Sequence, residues 1–313
     1  MSIKIDDDHF EKVSFTTNEA YIKTLSRIFM RELRLFYAGF HSAFADPITL
    51  LKRTFTSASV DRAVRPKTQS YEKHPKNPNG AGVLLCHGFA ATPEVFSEMT
   101  PKLLEQGYVV RAIRLSGHGT TPGHLAQTSG VDWFATVVWH YKELRKKSDT
   151  IYFVGHSLGG TLGLLLATIY DIKSVVAMCA PIRLNIPPAK FVRQASLLVK
   201  YWPRSREKKR IIDEAGLSTY KITPLYAMAG VFEVGTVLRS RVGKLNCPVF
   251  YISAGKDNRT FHSQPDELRN AFPDTPTEFK LYENSPHSIL IGPDKDDVVK
   301  TTVAWIDKVH KSA

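Results

Sequence analysis

One serine of this sequence is flanked by glycines two residues before it and two residues after it, in the stretch FVGHSLGGTLG. Ser157 directly follows an apolar run that predicts a β-strand and directly precedes a run that predicts a helix. A chain that turns this sharply brings the residues two before and two after the serine close to it, so both must be small. Gly155 and Gly159 meet this requirement. The turn holds the hydroxyl above the carboxyl edge of the sheet, beside the N-terminal end of the helix. We therefore predict that Ser157 is a nucleophile.

A serine hydroxyl is a weak nucleophile until a base takes its proton and a carboxylate orients that base. Two loops after late predicted strands supply these groups. The strand 248–253 leads into SAGKDNRT, which contains Asp257, and the strand 277–282 leads into ENSPHSILIG, which contains His287. Loops that follow parallel strands gather at one edge of a doubly wound sheet. The sequence thus predicts His287 as the base and Asp257 as the acid that orients it.

Attack on an ester carbonyl creates an oxyanion, which needs N–H donors held in fixed positions. The first expected donor is the backbone N–H of Leu158, the residue after the nucleophile. The second is the N–H of Phe89, in the loop CHGFAATPEVF after the first core strand. His87 lies just before Phe89, and we expect it to tie this loop by hydrogen bonds. This chemistry needs no metal ion and no organic cofactor.

Short apolar runs alternate with helical patterns from Ala81 onward, which predicts an α/β fold with a mainly parallel sheet and helices on both faces. The predicted strands are 83–86, 108–113, 151–155, 174–179, 248–253 and 277–282. The predicted helices lie near 93–106, 131–147, 158–170, 262–272 and 294–311. Residues of about 183–245 interrupt the alternation with a long, basic and mostly helical pattern. We interpret them as a cap inserted above the sheet of a hydrolase domain that spans residues 81–313.

Residues 1–80 form a predicted N-terminal extension with an amphipathic helix at about 18–45 and a connector over 66–80. The apolar face of that helix is expected either to pack on the rest of the protein or to lie on a membrane surface. The first residues lack a signal-peptide pattern, and no run reaches the roughly 18 apolar residues of a bilayer span. The three cysteines lie far apart in apolar runs, as expected of reduced core thiols. These features predict a cytoplasmic protein that is peripheral at a membrane.

More than half of the formal net charge of +12 falls between Lys190 and Arg210, which carry eight basic residues and one acid. Such a segment forms a solvated surface, or it binds anionic lipid headgroups or nucleic acid. The aromatic pair Tyr201-Trp202 suits a membrane interface. No nucleic-acid-binding motif accompanies the charge, so we expect an anionic membrane surface rather than a nucleic acid as the partner.

Five segments, taken in order, resemble the α/β-hydrolase superfamily, and within it the monoacylglycerol lipases and small bacterial carboxylesterases. They are LLCHGFAATPEVF, RLSGHGTTPGHL, VGHSLGGTLGLLLA, CPVFYISAGKDNRT and YENSPHSILIGPDKDDVVKTTVAWI, and together they cover roughly residues 80–311. The resemblance implies an α/β-hydrolase fold with a helical cap, a catalytic triad of Ser157, Asp257 and His287, and oxyanion donors at Phe89 and Leu158. Arg259 departs from the family pattern, because a cation so near the acid would lower its pKa or compete with His287 for it.

We therefore expect a serine carboxylic-ester hydrolase that acts through an acyl-enzyme on a short- to medium-chain acyl ester, such as a monoacylglycerol. Phe89 and the cap residues Leu225, Met228 and Phe232 are expected to line an apolar acyl pocket. Acyl transfer to another alcohol and thioester hydrolysis are alternatives on the same triad. A ligand-binding protein without catalysis, built on a hydrolase scaffold, is an alternative from another class. The sequence leaves the acyl-chain length, the head group and the oligomeric state open.

Overall fold

The computed structural model describes residues 67–183, 218–241, 247–258, 260 and 264–312, together with scattered residues of 192–216 and residues 243 and 245. The helix that the sequence predicts at about 18–45 and most of the basic segment 190–210 therefore lie outside the described residues. The described chain forms one central sheet with helices on both of its faces, together with a small hairpin.

Seven strands make up the central sheet. They are β1 Tyr71–Lys73, β2 Ala81–Cys86, β3 Val109–Ile113, β4 Thr150–His156, β5 Ser174–Met178, β8 Val249–Lys256 and β9 Thr277–Pro286. Their order across the sheet is β1-β3-β2-β4-β5-β8-β9. β1 runs antiparallel to β3, and every other neighbouring pair is parallel. The six predicted strands are all present, and the predicted fold class is confirmed.

Helices follow most of the strands. They are α1 Met99–Glu105, α2 Pro122–Leu125, α3 Gly130–Arg145, α4 Leu158–Ala167, α5 Leu225–Arg239, α6 Gln264–Ala271 and α7 Lys295–Lys311, with 3₁₀ turns at Pro93–Phe96 and Ile289–Ile291. The predicted helix 93–106 is thus a 3₁₀ turn followed by α1. None of the helices in the described part of the chain combines the length and the apolar character that crossing a membrane requires.

The sheet is buried on both faces. Alternate residues of a strand point to opposite faces, and Phe153 of β4 joins a buried cluster with α3, α4 and α5, whereas Val154 joins a second cluster with α1 and α7. Parallel strands that are covered on both sides consist of continuous apolar runs. This is the physical reason why the apolar runs alone located these strands.

The edge strand β1 lies inside the stretch that the sequence predicts as an exposed connector. Tyr71 pairs with Ala112 of β3, and the carboxylate of Glu72 forms ion pairs with Arg111 and with Lys147. The Glu72 and Arg111 side chains are only 8% and 7% exposed. A three-residue strand held by long-range ion pairs leaves no periodic signal in its own sequence, so the sequence analysis missed it.

The stretch that the sequence predicts as a cap follows β5 in the chain, and its described residues are not only helical. Within the described residues it contains α5 and an antiparallel hairpin of β6 Tyr201–Pro203 with β7 Ile222–Pro224. α5 packs closely on the start of α3, since a Cβ added to Gly230 would lie 2.7 Å from the backbone nitrogen of Gly130 and 3.1 Å from the Trp133 ring. The helix α5 fits the predicted helical pattern of this stretch, whereas the hairpin of β6 and β7 was not among the predicted elements.

Candidate active site

Ser157 occupies a sharp turn between β4 and α4. Its φ of 52° lies in the left-handed region that residues other than glycine rarely adopt. A Cβ on Gly155 would lie 2.3 Å from the backbone carbon of Gly159, and a Cβ on Gly159 would lie 2.1 Å from the Cys86 carbonyl oxygen. The N–H of Ser157 donates to the Met178 carbonyl oxygen at 2.7 Å. Such a strained turn between close neighbours has the geometry that exposes a nucleophile above a sheet.

His287 lies between Ser157 and Asp257 and contacts both. Its Nδ1 is 2.7 Å from Oδ2 of Asp257, and its Nε2 is 3.0 Å from Oγ of Ser157. A carboxylate only accepts hydrogen bonds, so Nδ1 carries the proton and Nε2 is free to accept the serine proton. Asp257 follows β8 and His287 follows β9, as the sequence predicts. The three side chains nominated from sequence thus form one continuous hydrogen-bonded chain.

Asp257 is held by a residue that the sequence analysis did not nominate. The backbone N–H of Thr260 donates to Oδ1 of Asp257 at 3.1 Å, and the Thr260 hydroxyl donates to Oδ2. Both residues are buried, each 8% exposed. Together with His287, Thr260 gives the carboxylate three hydrogen-bond donors and fixes its orientation. The signal was a threonine three residues after the aspartate in DNRT, where a side chain can close a turn. The Arg259 side chain, whose charge the sequence places near the acid, lies outside the described residues.

His156 is a second residue that the sequence analysis missed. Its Nε2 lies 2.7 Å from the backbone carbonyl oxygen of His287, and the two imidazole rings are 5.2 Å apart. A carbonyl oxygen only accepts, so the proton of His156 is on Nε2. His156 therefore holds the backbone of the candidate base from the residue next to the candidate nucleophile. Its place inside the GHSLG motif was the only signal in the sequence.

Leu158 and the loop that carries Phe89, the two expected sources of oxyanion donors, lie close to Ser157. Leu158 is the first residue of α4, where a backbone N–H has no carbonyl partner within its own helix. The loop that carries Phe89 passes close to the nucleophile, because a Cβ added to Gly88 would lie 3.1 Å from Cβ of Ser157. The Phe89 ring packs on Trp133, with 5.7 Å between ring centroids.

His87 anchors the Phe89 loop from below. Its Nδ1 donates to the Gly88 carbonyl oxygen at 2.8 Å, and its Nε2 accepts from the Leu115 N–H at 3.2 Å. Burial lowers the pKa of His87 to about 4, and burial likewise lowers the pKa of His118, whose ring centroid is 5.1 Å away. Both imidazoles therefore stay neutral at physiological pH, which suits a structural role.

Cys179, Asp257 and His287 are buried and offer ligand atoms that all lie within 4.8 Å of one another. Among the described residues, this is the cluster whose atoms could reach a common metal ion. Asp257 and His287 are already hydrogen-bonded to each other. Burial, and to a smaller extent the charge of Asp257, raises the pKa of the Cys179 thiol, which makes it a poor ligand. These observations fit the hydrogen-bonded pair of Asp257 and His287 better than a metal site.

The fold and this site define a serine hydrolase with the α/β-hydrolase fold. Residues 77–294 match Hydrolase_4, a family described as serine aminopeptidase, S33, and the chain belongs to that family. The superfamily that the sequence motifs resemble is thereby confirmed.

Two curated relatives align over most of the chain. A carboxylesterase of Bacillus subtilis (strain 168) is 26% identical over 228 residues, which are 72% of this chain and 92% of the relative. A thermostable monoacylglycerol lipase of Bacillus sp. (strain H-257) is 27% identical over 229 residues, which are 72% of this chain and 90% of the relative.

Solved structures show the same fold. One solved structure comes from work on two metagenome-derived lipolytic enzymes, LipS and LipT. The chain superimposes on it with a TM-score of 0.70 at 24% identity, and the match covers 78% of this chain and 99% of the other. The monoacylglycerol lipase of Paleococcus ferrophilus gives a TM-score of 0.64 at 19% identity, covering 77% and 99%.

Proposed function

We propose that this protein hydrolyses carboxylic esters through an acyl-enzyme formed on Ser157, with short- to medium-chain acyl esters such as monoacylglycerols as substrates. The enzyme class, a serine ester hydrolase of the carboxylesterase and lipase type, follows from the family and from both curated relatives. The observation that carries the assignment of residues is the hydrogen-bonded chain from Ser157 through His287 to Asp257.

In the proposed reaction, Nε2 of His287 takes the hydroxyl proton of Ser157 while the serine oxygen attacks the ester carbonyl. The imidazolium that forms is stabilised by Asp257, which stays ionised. His287 then gives the proton to the leaving alcohol, and an acyl-enzyme remains. Water enters, loses a proton to the same nitrogen and attacks the acyl carbonyl. The bond between the acyl carbon and the serine oxygen then breaks, His287 returns the proton to that oxygen, and the acid leaves.

The oxyanion of both tetrahedral intermediates is assigned to the backbone N–H groups of Phe89 and Leu158. Support comes from the N-terminal position of Leu158 in α4 and from the close approach of the Gly88 backbone to Ser157. The positive end of the α4 dipole points at the same place. Losing one such donor costs about 2.7–4 kcal/mol where it has been measured.

We assign residues of about 183–245 to a cap over the acyl pocket. α5 packs on Trp133 through Gly230, and Trp133 in turn packs on Phe89 beside the nucleophile. One aromatic layer thus separates the cap helix from the oxyanion loop. An apolar environment of this kind favours an acyl chain over a charged substrate.

We further propose that the enzyme is cytoplasmic and binds peripherally to the surface of anionic membranes. Leu198 and Trp202 of the cap are 90% and 61% exposed. The basic residues Lys200 and Arg204 lie between and beside them in the chain. Apolar and aromatic side chains among cations suit the interface of an anionic bilayer. The described cysteines are all free, which fits a reducing compartment.

A chain-length series of p-nitrophenyl esters, from acetate to palmitate, tests these assignments on the wild type and on Ser157→Ala, with and without anionic vesicles. We expect activity that peaks at short to medium chains, disappears in Ser157→Ala and rises with vesicles. Activity retained by Ser157→Ala contradicts the acyl-enzyme.

Three further arms of the same assay separate the alternatives. An amino-acid p-nitroanilide tests for peptidase activity, to which the family description refers, and preference for it over every ester overturns the substrate class. A thioester substrate and an added competing alcohol identify a thioesterase or an acyltransferase by their products. An absence of turnover on any substrate favours a binding protein.

A further inference from the structure

The oxyanion loop contains a strained turn. The Ala91 N–H donates to the Gly88 carbonyl oxygen at 3.1 Å, which closes a four-residue turn around Phe89 and Ala90. Ala90 is the third residue of this turn and has a φ of 55°. A positive φ at that position is normally taken by glycine or asparagine. An alanine stays there only if the surrounding structure holds it.

The cap supplies that support. The hydroxyl of Thr219, a cap residue, donates to the carbonyl oxygen of Ala90. Next to it, the Ser218 N–H donates to Oε2 of Glu94 at 3.0 Å and the Ser218 hydroxyl donates to Oε1 at 3.2 Å. Glu94 belongs to the 3₁₀ turn that continues the oxyanion loop, and Thr92 of that loop donates to the same carboxylate at 2.9 Å. Three hydrogen bonds therefore join two consecutive cap residues to the loop that carries Phe89.

The following cap residue fixes the attachment from a second direction. The buried Tyr220 hydroxyl donates to the Gly117 carbonyl oxygen at 2.8 Å and accepts from the Thr120 N–H at 2.8 Å. Ser218, Thr219 and Tyr220 are thus anchored on two loops of the hydrolase core, and the position of the Thr219 hydroxyl is set by its neighbours on both sides.

We infer that Thr219 is a positioning residue for the oxyanion hole: its hydroxyl holds Ala90 in the strained turn and thereby aims the Phe89 N–H at the reacting carbonyl oxygen. Glu94 supports the same turn through Ser218. The cap then completes the catalytic geometry in addition to covering the acyl pocket. The inference rests on the proposed function, because it assigns the Phe89 N–H to the oxyanion.

The test compares Thr219→Val, which removes the hydroxyl, with Thr219→Ser, which keeps it. A donor misplaced by about 1 Å can cost up to about 100-fold in rate, so we expect kcat on p-nitrophenyl butyrate to fall about tenfold or more in Thr219→Val with KM within about twofold. Thr219→Ser should keep the wild-type kcat. Thr236→Val makes the same chemical change on the exposed face of α5 and serves as the matched control. Glu94→Gln weakens the hydrogen bonds to Ser218, and its kcat should lie between those of Thr219→Val and the wild type.

Hydrogen–deuterium exchange provides a readout that does not depend on turnover. Peptides covering residues 88–96 should exchange faster in Thr219→Val than in Thr219→Ser or Thr236→Val. Wild-type kcat and exchange in Thr219→Val overturn the inference, as does an equal loss of kcat in Thr219→Ser. If exchange is faster in Thr219→Val but the wild type hydrolyses no ester, the hydrogen bond from Thr219 to the loop is supported. The proposed function is then contradicted instead.

Discussion

His156 offers the sharpest test of how this site is built, because its ring touches the backbone of the candidate base. Its Nε2–H donates to the His287 carbonyl oxygen at 2.7 Å. His156→Phe keeps a planar ring of similar size and removes the donor. His156→Gln keeps an N–H donor at a similar distance from the backbone. We expect His156→Phe to lose most of its activity and His156→Gln to retain it.

The expected cost to stability is small. The His287 carbonyl oxygen also accepts from the Ile289 N–H at 2.9 Å, so it is not left without a partner in His156→Phe. One neutral hydrogen bond contributes about 0.5–1.5 kcal/mol. A loss of about 1 kcal/mol lowers the melting temperature by roughly 2–4 °C for a domain of this size. The variant should therefore be folded at 25 °C.

The expected cost to catalysis is larger. His287 must keep its two ring nitrogens in line with Ser157 and Asp257, at 3.0 Å and 2.7 Å. Releasing the hydrogen bond from His156 to its carbonyl oxygen lets the imidazole drift, and a drift of about 1 Å costs up to about 100-fold in rate. We expect kcat to fall about 10- to 100-fold with little change in KM, because the lost alignment acts on the transition state.

Steady-state kinetics on p-nitrophenyl butyrate and thermal unfolding of both variants measure the two effects separately. Wild-type kcat in His156→Phe would refute the role of His156 in positioning the base. Equal losses in His156→Phe and His156→Gln would show that the imidazole acts through something other than its Nε2–H.

Two further predictions concern stability. Gly159→Ala should lower the free energy of unfolding in urea by about 3 kcal/mol or more, because its Cβ would lie 2.1 Å from the Cys86 carbonyl oxygen. In the control Gly123→Ala the nearest atom is 3.8 Å away. Equal urea midpoints for the two variants would contradict the close packing of Gly159 on Cys86. Burial raises the pKa of Glu72, but hydrogen bonds and charge from Lys147 and Arg111 outweigh it and the net pKa is lowered. The ionised carboxylate therefore stabilises the fold above its unfolded pKa of about 4.3 and this contribution is lost as pH falls through the lower folded value. Glu72→Gln should unfold earlier than the wild type at pH 7, and the difference should shrink below about pH 4; a difference that is independent of pH would contradict it.

The central strands were predictable because their burial is encoded locally. Residues such as Phe153 and Val154 are both apolar, since each face of the sheet is covered by helices. β1 and the hairpin β6–β7 were not predictable in this way. Each strand has three residues, and each is held by contacts with distant parts of the chain. Glu72 in β1, for example, pairs with Arg111 and Lys147, which lie 39 and 75 residues away.

The residues of the candidate site also differ in whether local sequence or only long-range contacts identify them. Ser157 was nominated by a turn that only small neighbours permit, and Asp257 and His287 by their places after late strands. Those signals are local or follow from chain order. His156 and Thr219 act on backbone carbonyl oxygens 131 and 129 residues away. A backbone acceptor has no residue type, so the sequence does not show which side chain donates to it.

Three of the four non-glycine residues with a positive φ in the described part of the chain lie where the chemistry is proposed; the fourth is Lys67. Ser157, Ala90 and Cys179 have φ values of 52°, 55° and 48°, and they follow the carboxyl ends of β4, β2 and β5, three adjacent strands in the middle of the sheet. Strained residues persist only where their surroundings hold them. Each is held by a hydrogen bond that a local pattern does not reveal. The Ser157 N–H donates to the Met178 carbonyl oxygen, the Cys179 N–H donates to the Ile252 carbonyl oxygen, and the Ala90 carbonyl oxygen accepts from the Thr219 hydroxyl. The first two hydrogen bonds join neighbouring strands of the central sheet. The third runs to Thr219 in the proposed cap, so we expect the geometry of the Phe89 loop to depend on the position of that segment.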